Sequence, residues 1–143
     1  MAKKAVVFLG SPRKGGNSDA LAESYVRGLR ENGWECEIAR CRNIAPCRAC
    51  DACRKNGGVC VQRDAMQELC KKAAEAQLLV FASPIYWFNI SAQLKTAIDR
   101  LYCLGGEEKR LTQKSYAALL AAADTDQAVF APAIASFKAI AAF

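Results

Sequence analysis

Lys4-Ala-Val-Val-Phe-Leu-Gly10-Ser-Pro-Arg-Lys-Gly-Gly-Asn17-Ser18 decides the fold. Its short apolar run ends at Gly10 and reads as a buried strand. Asn17 or Ser18 can cap the helix that follows. That helix carries Leu21, Tyr25 and Leu29 on one face, flanked by Ala22 and Val26, and Gly33 stops it. A strand turning into a helix in this way points backbone N–H groups and the helix dipole at an anion. Ser11, Asn17 and Ser18 add short polar donors, Gly15 and Gly16 permit close backbone approach, and Arg13 can pair with a phosphate. The stretch is not a P-loop, because residues 15–17 read Gly-Gly-Asn where Gly-Lys-Ser/Thr is required. Pro12 also rules out the dinucleotide G-x-G-x-x-G turn. A monophosphate fits better than either, and an ordinary glycine-rich turn is the alternative.

Outward from this unit the pattern repeats. Glu35–Arg40 alternates as a strand does. A cysteine-rich loop spans about 41–63, and Asp64 with Gln67 resembles a capping box before a helix with Met66, Leu69, Cys70 and Ala73 aligned. Leu78–Ser83 is the next apolar strand. A helix from about Ser91 to Leu104 gathers Leu94, Ala97, Ile98, Leu101 and Tyr102. Ser115–Ala123 is another strand, and Phe130, Ala133, Ile134, Phe137 and Ala141 mark a last helix. Strands alternating with helices imply an α/β fold in a single domain, residues 1–143: a doubly wound parallel sheet between two helical layers. Such a sheet normally has a fifth strand. The expectation is therefore that the chain is truncated after Phe143, or that a bare edge is covered by a partner copy.

The 143 residues contain eight cysteines and no histidine. Lack of imidazole excludes Ser/His/Asp hydrolysis, Cys/His proteolysis and most catalytic zinc sites. Four thiols occupy one short stretch, Cys47-x₂-Cys50-x₂-Cys53-x₆-Cys60. A C-x₂-C-x₂-C run is the spacing of bacterial iron–sulfur ligands. A structural zinc ion and a redox dithiol remain open on spacing alone. Cys36, Cys41, Cys70 and Cys103 read as small buried hydrophobes. No apolar run is long enough for a membrane span or a secretory signal, so a cytoplasmic protein is expected. The net charge of +6 gathers near the cysteines at Arg40, Arg42, Arg48, Arg54, Lys55 and Arg63, as a solvated basic face or beside an anionic group. Asp99 and Arg100 read as a surface ion pair or a subunit contact.

Ser83-Pro84-Ile85-Tyr86-Trp87-Phe88-Asn89-Ile90-Ser91 leaves the third strand at its C-terminal end, where open α/β sheets bind ligands. Three successive aromatics cannot all face the core, so some apolar surface is presented to a planar ligand.

The glycine-rich turn, the cysteine spacing and the stretch from Ser83 through Arg100 resemble, in that order, the NAD(P)H-dependent FMN reductase superfamily. More closely, they are similar to its iron–sulfur flavoproteins. The resemblance runs over essentially the whole chain. It implies a flavodoxin-like sheet of order 2-1-3-4 lacking the fifth strand, with FMN phosphate at Ser11, Arg13, Asn17 and Ser18. The flavin ring would lie against Pro84, Ile85, Tyr86, Trp87, Phe88 and Asn89, with the loop from Ala123 to Asp126, including Asp124, reaching it. Cys47, Cys50, Cys53 and Cys60 would ligate a [4Fe–4S] cluster. It further implies NAD(P)H as electron donor, with no catalytic side chain because FMN carries the chemistry. The expected partners are a small-molecule or protein electron donor and acceptor, with neither nucleic acid nor membrane; the bare sheet edge and apolar loop residues, read from the sequence itself, predict a homodimer or homotetramer. A cluster-free FMN or quinone reductase is the alternative within the class. A zinc-stabilised nucleic-acid-binding module is the alternative outside it.

Overall fold

The computed structural model describes residues 2–106 and 110–142. The chain runs through β1 (Lys3–Leu9), α1 (Asn17–Glu31), β2 (Trp34–Arg40), the short α2 (Ala52–Lys55), α3 (Ala65–Glu75), β3 (Leu78–Tyr86), β4 (Asn89–Ile90), α4 (Ala92–Arg100), β5 (Ser115–Ala121) and α5 (Ala131–Ala142). β2, β1, β3 and β5 lie side by side in that order, all parallel. β4 is a two-residue antiparallel return on the end of β3. Counting the four long strands alone, this is the expected flavodoxin-like order 2-1-3-4.

Period-two alternation along the strands splits the core. Val6, Phe8, Leu79 and Phe81 face a layer made by α3, α4 and α5, whereas Ala5, Val7, Leu9, Val80 and Ala82 face α1. β3, flanked on both sides, is buried from Leu78 through Pro84. Its Phe81 ring stacks on Phe8 at 5.3 Å and on Phe137 of α5 at 5.6 Å, which fastens the last helix to the sheet. Among the described residues, no helix is long and apolar enough to cross a membrane.

Local details depart from the sequence reading. α1 buries Ser18, Asp19, Ala22 and Val26, while Leu21 is largely exposed. The stripe of small residues is inward because the helix packs close over the sheet. Neither Asn17 nor Ser18 caps α1; its N-cap is Gly16, with no side-chain cap bond. Asp64 does cap α3 through the Met66 N–H, but Gln67 donates to the Cys60 carbonyl instead of closing the box. α4 ends at Arg100 and continues as a 3₁₀ turn over Leu101–Leu104. β5 ends at Ala121 rather than Ala123.

A buried polar joint ties the ends of β1 and β3 to α4. The Gly10 N–H donates to the Ala82 carbonyl at 2.8 Å, and the Ser91 hydroxyl donates to the Gly10 carbonyl at 2.7 Å. Ser91 also accepts from Leu94 N–H as the cap of α4, and its own N–H donates to Ser83 Oγ at 2.9 Å. Nothing larger than hydrogen fits at residue 10. A Cβ there would stand 2.7 Å from Leu94 Cβ and 2.9 Å from Ser91 Oγ. Gly10→Ala should therefore cost about 2–3 kcal/mol by overpacking, read as a lower midpoint in chemical denaturation, whereas Gly16→Ala should not reproduce that overpacking loss, because nothing lies within 4 Å of a Cβ there.

Candidate functional site

The glycine-rich turn between β1 and α1 is held from below. Asp19, in the first turn of α1, is 2% exposed and accepts the Gly15 N–H at 2.8 Å. Arg40, at the end of β2, pairs with the same carboxylate at 2.6 Å and donates to the carbonyls of Ser11 and Arg13, each at 3.1 Å. Burial pulls the Asp19 carboxyl up, but Arg40 and the Gly15 amide outweigh it and leave the group below the usual carboxylate range. Arg40 thus serves the inside of the turn, not the basic face near the cysteines. The pairing with Arg40 offsets the Asp19 charge, so the carboxylate would not repel an anion approaching the turn. Ser11 and Ser18 are buried, while Arg13 and Asn17 are exposed at the rim. With no side chain capping α1, the first-turn amides remain available to an anion.

The aromatic stretch forms a tight hairpin. Tyr86 pairs with Asn89 and Ile85 with Ile90, leaving Trp87 and Phe88 as a two-residue turn. Both have positive φ, 48° and 66°, the pattern of a type I′ turn that normally takes Asn and Gly. Each such residue costs on the order of 1–3 kcal/mol of backbone strain, the kind of cost that gathers at ligand sites. Trp87 is 93% exposed and Phe88 59%. Beneath them lies a cavity of about 590 Å³ lined by Ile85, Trp87, Phe88, Asp124, Thr125 and Val129. The structure thus brings the aromatic hairpin and the loop after β5 together. Pro84 is buried at the strand end, and Asn89 is spent on the Ile90 N–H. Ser11, Arg13, Asn17 and Ser18 do not line this cavity; the Gly10–Ser91 bond ties the strand end that precedes them to the residue that follows the hairpin.

The cysteine loop leaves β2 and returns at α3, and it is densely bonded. Arg100 donates to the Ala45 carbonyl at 2.7 Å and to both Asp64 oxygens at 2.7 and 2.9 Å, closing the loop's two ends on α4. This corrects the reading of Asp99–Arg100 as a surface pair. Arg100 is 2% exposed, and Asp99 instead pairs with Lys95. Gln62 bridges Arg48 and the Pro46 carbonyl, and the Tyr102 hydroxyl joins Arg54 to Asp51. Left-handed residues Ala49 and Asp51 alternate with the thiols and fold the C-x₂-C-x₂-C run back on itself.

Cys47, Cys50, Cys53 and Cys60 line one small cavity, together with Cys103 and Arg100. Cys47 and Cys50 face solvent; Cys53 and Cys60 are half-buried. Among the described residues, no three His, Cys, Asp or Glu side chains stand close enough to form a metal-holding group. Cys41 and Cys70 are buried as expected, and burial pushes the Cys41 thiol up to about 12. Cys36 is only half-buried. Cys103 is also buried, but it lies against Cys70 at 3.5 Å and opens onto the cysteine cavity, a placement its helical position did not signal. Asp19 and Arg40 were missed likewise; the one sequence trace of the first is an acidic residue in the opening turn of α1.

A model of the NADPH-dependent FMN reductase family matches residues 3–140. The chain belongs to that family. Among curated members, it is 40% identical over 104 residues to an iron–sulfur flavoprotein of Archaeoglobus fulgidus, covering 71% of this chain and 47% of that protein. It is 38% identical over 112 residues to one of Methanosarcina thermophila, covering 77% and 58%. The chain thus spans about half the length of the curated relatives it matches. A solved structure described as a Trp repressor binding protein from Bacillus subtilis superposes with a TM-score of 0.67 at 26% identity, covering 96% of this chain and 74% of that one.

The loop anchor carries a pH signature. Arg100's hydrogen bonds hold the Asp64 carboxyl below its ordinary value, against an opposing push from burial. A carboxyl lowered in the fold stabilises above its unfolded pKa of about 3.9 and loses that contribution as pH falls through the folded value. Stability should therefore drop below about pH 4. Asp64→Asn should flatten part of that acid limb while costing about 3 kcal/mol at neutral pH, both measured by urea denaturation across a pH series.

Proposed function

We propose that this chain is an FMN-dependent NAD(P)H oxidoreductase in which the flavin is coupled to a [4Fe–4S] cluster. The observation that carries the flavin reading is the Gly10–Ser91 hydrogen bond. It sets the uncapped start of α1 and the strained aromatic hairpin at adjacent strand ends, where open α/β sheets bind ligands.

The residues fit the group. The phosphate would take the first-turn amides of α1 with Ser11, Asn17 and Ser18, and Arg13 at the rim would add its charge. The ring would lie against Pro84 through Asn89 and the loop holding Asp124. FMN supplies electron transfer in pairs or singly when bound. The protein's own residues bind and orient: Arg40 and Asp19 keep the turn rigid, and Trp87 and Phe88 would shield one side of the bound ring from water. No side chain is asked to move a proton.

The donor set of the cysteine cavity, four thiols beside a buried arginine, suits an anionic iron–sulfur centre. Cys47, Cys50, Cys53 and Cys60 would be its ligands after a local closing of the loop. The exposure of Cys47 and Cys50 favours a second reading, a cluster-free FMN or quinone reductase. A zinc-stabilised nucleic-acid module leaves the turn and the hairpin without a role. The exposed Trp87 and Phe88 also fit a surface covered in a homodimer or homotetramer.

Titrating flavin-free protein with FMN should quench flavin fluorescence at one equivalent, and Trp87→Ala should weaken binding about tenfold. Failure of the unmodified chain to bind FMN overturns the flavin reading. Separately, protein purified without oxygen should carry roughly four iron and four acid-labile sulfide per chain, lost in Cys53→Ser. Flavin without iron selects the cluster-free reductase.

A further inference from the structure

Arg100 has more donors than its visible partners use. A guanidinium carries five N–H groups in a rigid fork. Two of its nitrogens are occupied: Nη1 by Ala45 and Asp64, Nη2 by Asp64. Its Nε is buried with no hydrogen-bond partner. Such a state is rare, because buried N–H groups in folded proteins nearly always find an acceptor. The side chain cannot swing away to find one, since the bidentate contact with Asp64 fixes the plane of the fork.

The orphaned donor belongs to a side chain lining the cavity shared by Cys47, Cys50, Cys53 and Cys60. Cys60 lines that cavity together with the guanidinium. Cys60 is itself positioned from behind by Gln67, whose amide donates to its carbonyl at 2.9 Å. A neutral thiol is a poor acceptor, whereas a metal-bound thiolate is a good one.

Resting on the cluster reading above, we propose that the Arg100 Nε–H donates a hydrogen bond to the Cys60 sulfur of the liganded cluster and raises its reduction potential. The remaining nitrogens lock the arginine to both ends of the loop. The electron added on reduction increases the negative charge on the sulfurs, so a fixed donor stabilises the reduced state more than the oxidised one. Asp64 neutralises much of the arginine's charge at long range. The directional N–H at short range is what remains to act on the cluster.

Arg100→Lys tests this, because lysine keeps the charge and can reach Asp64 but has no Nε–H fork. The midpoint potential of the cluster, from a dye-mediated titration, should fall by the equivalent of about tenfold in the one-electron equilibrium, ~59 mV, with iron content near that of the unmodified protein. Tyr102→Phe is the comparison. It removes the hydroxyl joining Arg54 and Asp51, loosening the same loop without touching Arg100, and its potential should stay unchanged. An iron-replete Arg100→Lys protein with an unaltered potential overturns the inference, as does an equal shift in Tyr102→Phe. Should Arg100→Lys fail to fold, the unmodified protein labelled with ¹⁵N-arginine gives the answer by pulsed EPR of the reduced cluster. A ¹⁵N coupling that persists in Arg48→Lys, the other arginine lining the cavity, supports the role, and its absence overturns it. A chain that binds no iron at all refutes the cluster reading itself, a result distinct from every outcome at Arg100.

Discussion

Arg100 gives two nitrogens to the Asp64 carboxylate, at 2.7 and 2.9 Å, and one of them also to the Ala45 carbonyl at 2.7 Å. Through these bonds α4, the start of α3 and the beginning of the cysteine loop become one body. A buried ion pair of this kind adds little net stability over an apolar replacement, yet losing one partner strands a charge in the interior. Its value here is geometric. The loop from Cys41 to Arg63 has almost no regular structure beyond the four-residue α2, and side-chain bonds must take the place of a hydrogen-bonded ladder.

The same arrangement, an arginine closing over a carboxylate and carbonyls, recurs under the glycine-rich turn. Arg40 holds Asp19 and the carbonyls of Ser11 and Arg13. Both arginines face inward and fix loops of unusual backbone, so the basic composition around the cysteines is not simply a solvated face. Two of the six cations in that group, Arg48 and Arg54, are likewise engaged within the loop. Charge that looks like a recruiting surface in the sequence is partly internal scaffolding.

The hairpin at Trp87–Phe88 shows the opposite economy. Two bulky residues sit in left-handed conformations and expose their rings, a combination that folding alone would disfavour. Such strain persists because the flanking pairs Ile85–Ile90 and Tyr86–Asn89, and the buried serines behind them, over-determine the turn. The rigid sheet carries the cost, and the exposed rings face the cavity under the loop after β5.

The order of strands and helices, the glycine-rich turn, the aromatic loop and the four-cysteine spacing were all legible in the chain, because each is local: apolar periodicity and Gly, Pro and Cys spacing act within a dozen residues. Even there, the inward face of α1 turned: Tyr25 and Leu29 pack against the core only at its margin, Leu21 is exposed, and the fully buried positions are Ser18, Asp19, Ala22 and Val26, since close packing on the sheet prefers small side chains. The partners of Arg40, Arg100 and Cys103 lie 21 to 55 residues away in the chain, and sequence pattern says nothing about which distant polar groups the crossing of helix and sheet will bring face to face. Arg100 lies beside Ala97 and Leu101 on the buried side of α4. Only the packing of α3 against that side turned an apparent surface charge into the anchor of the cysteine loop.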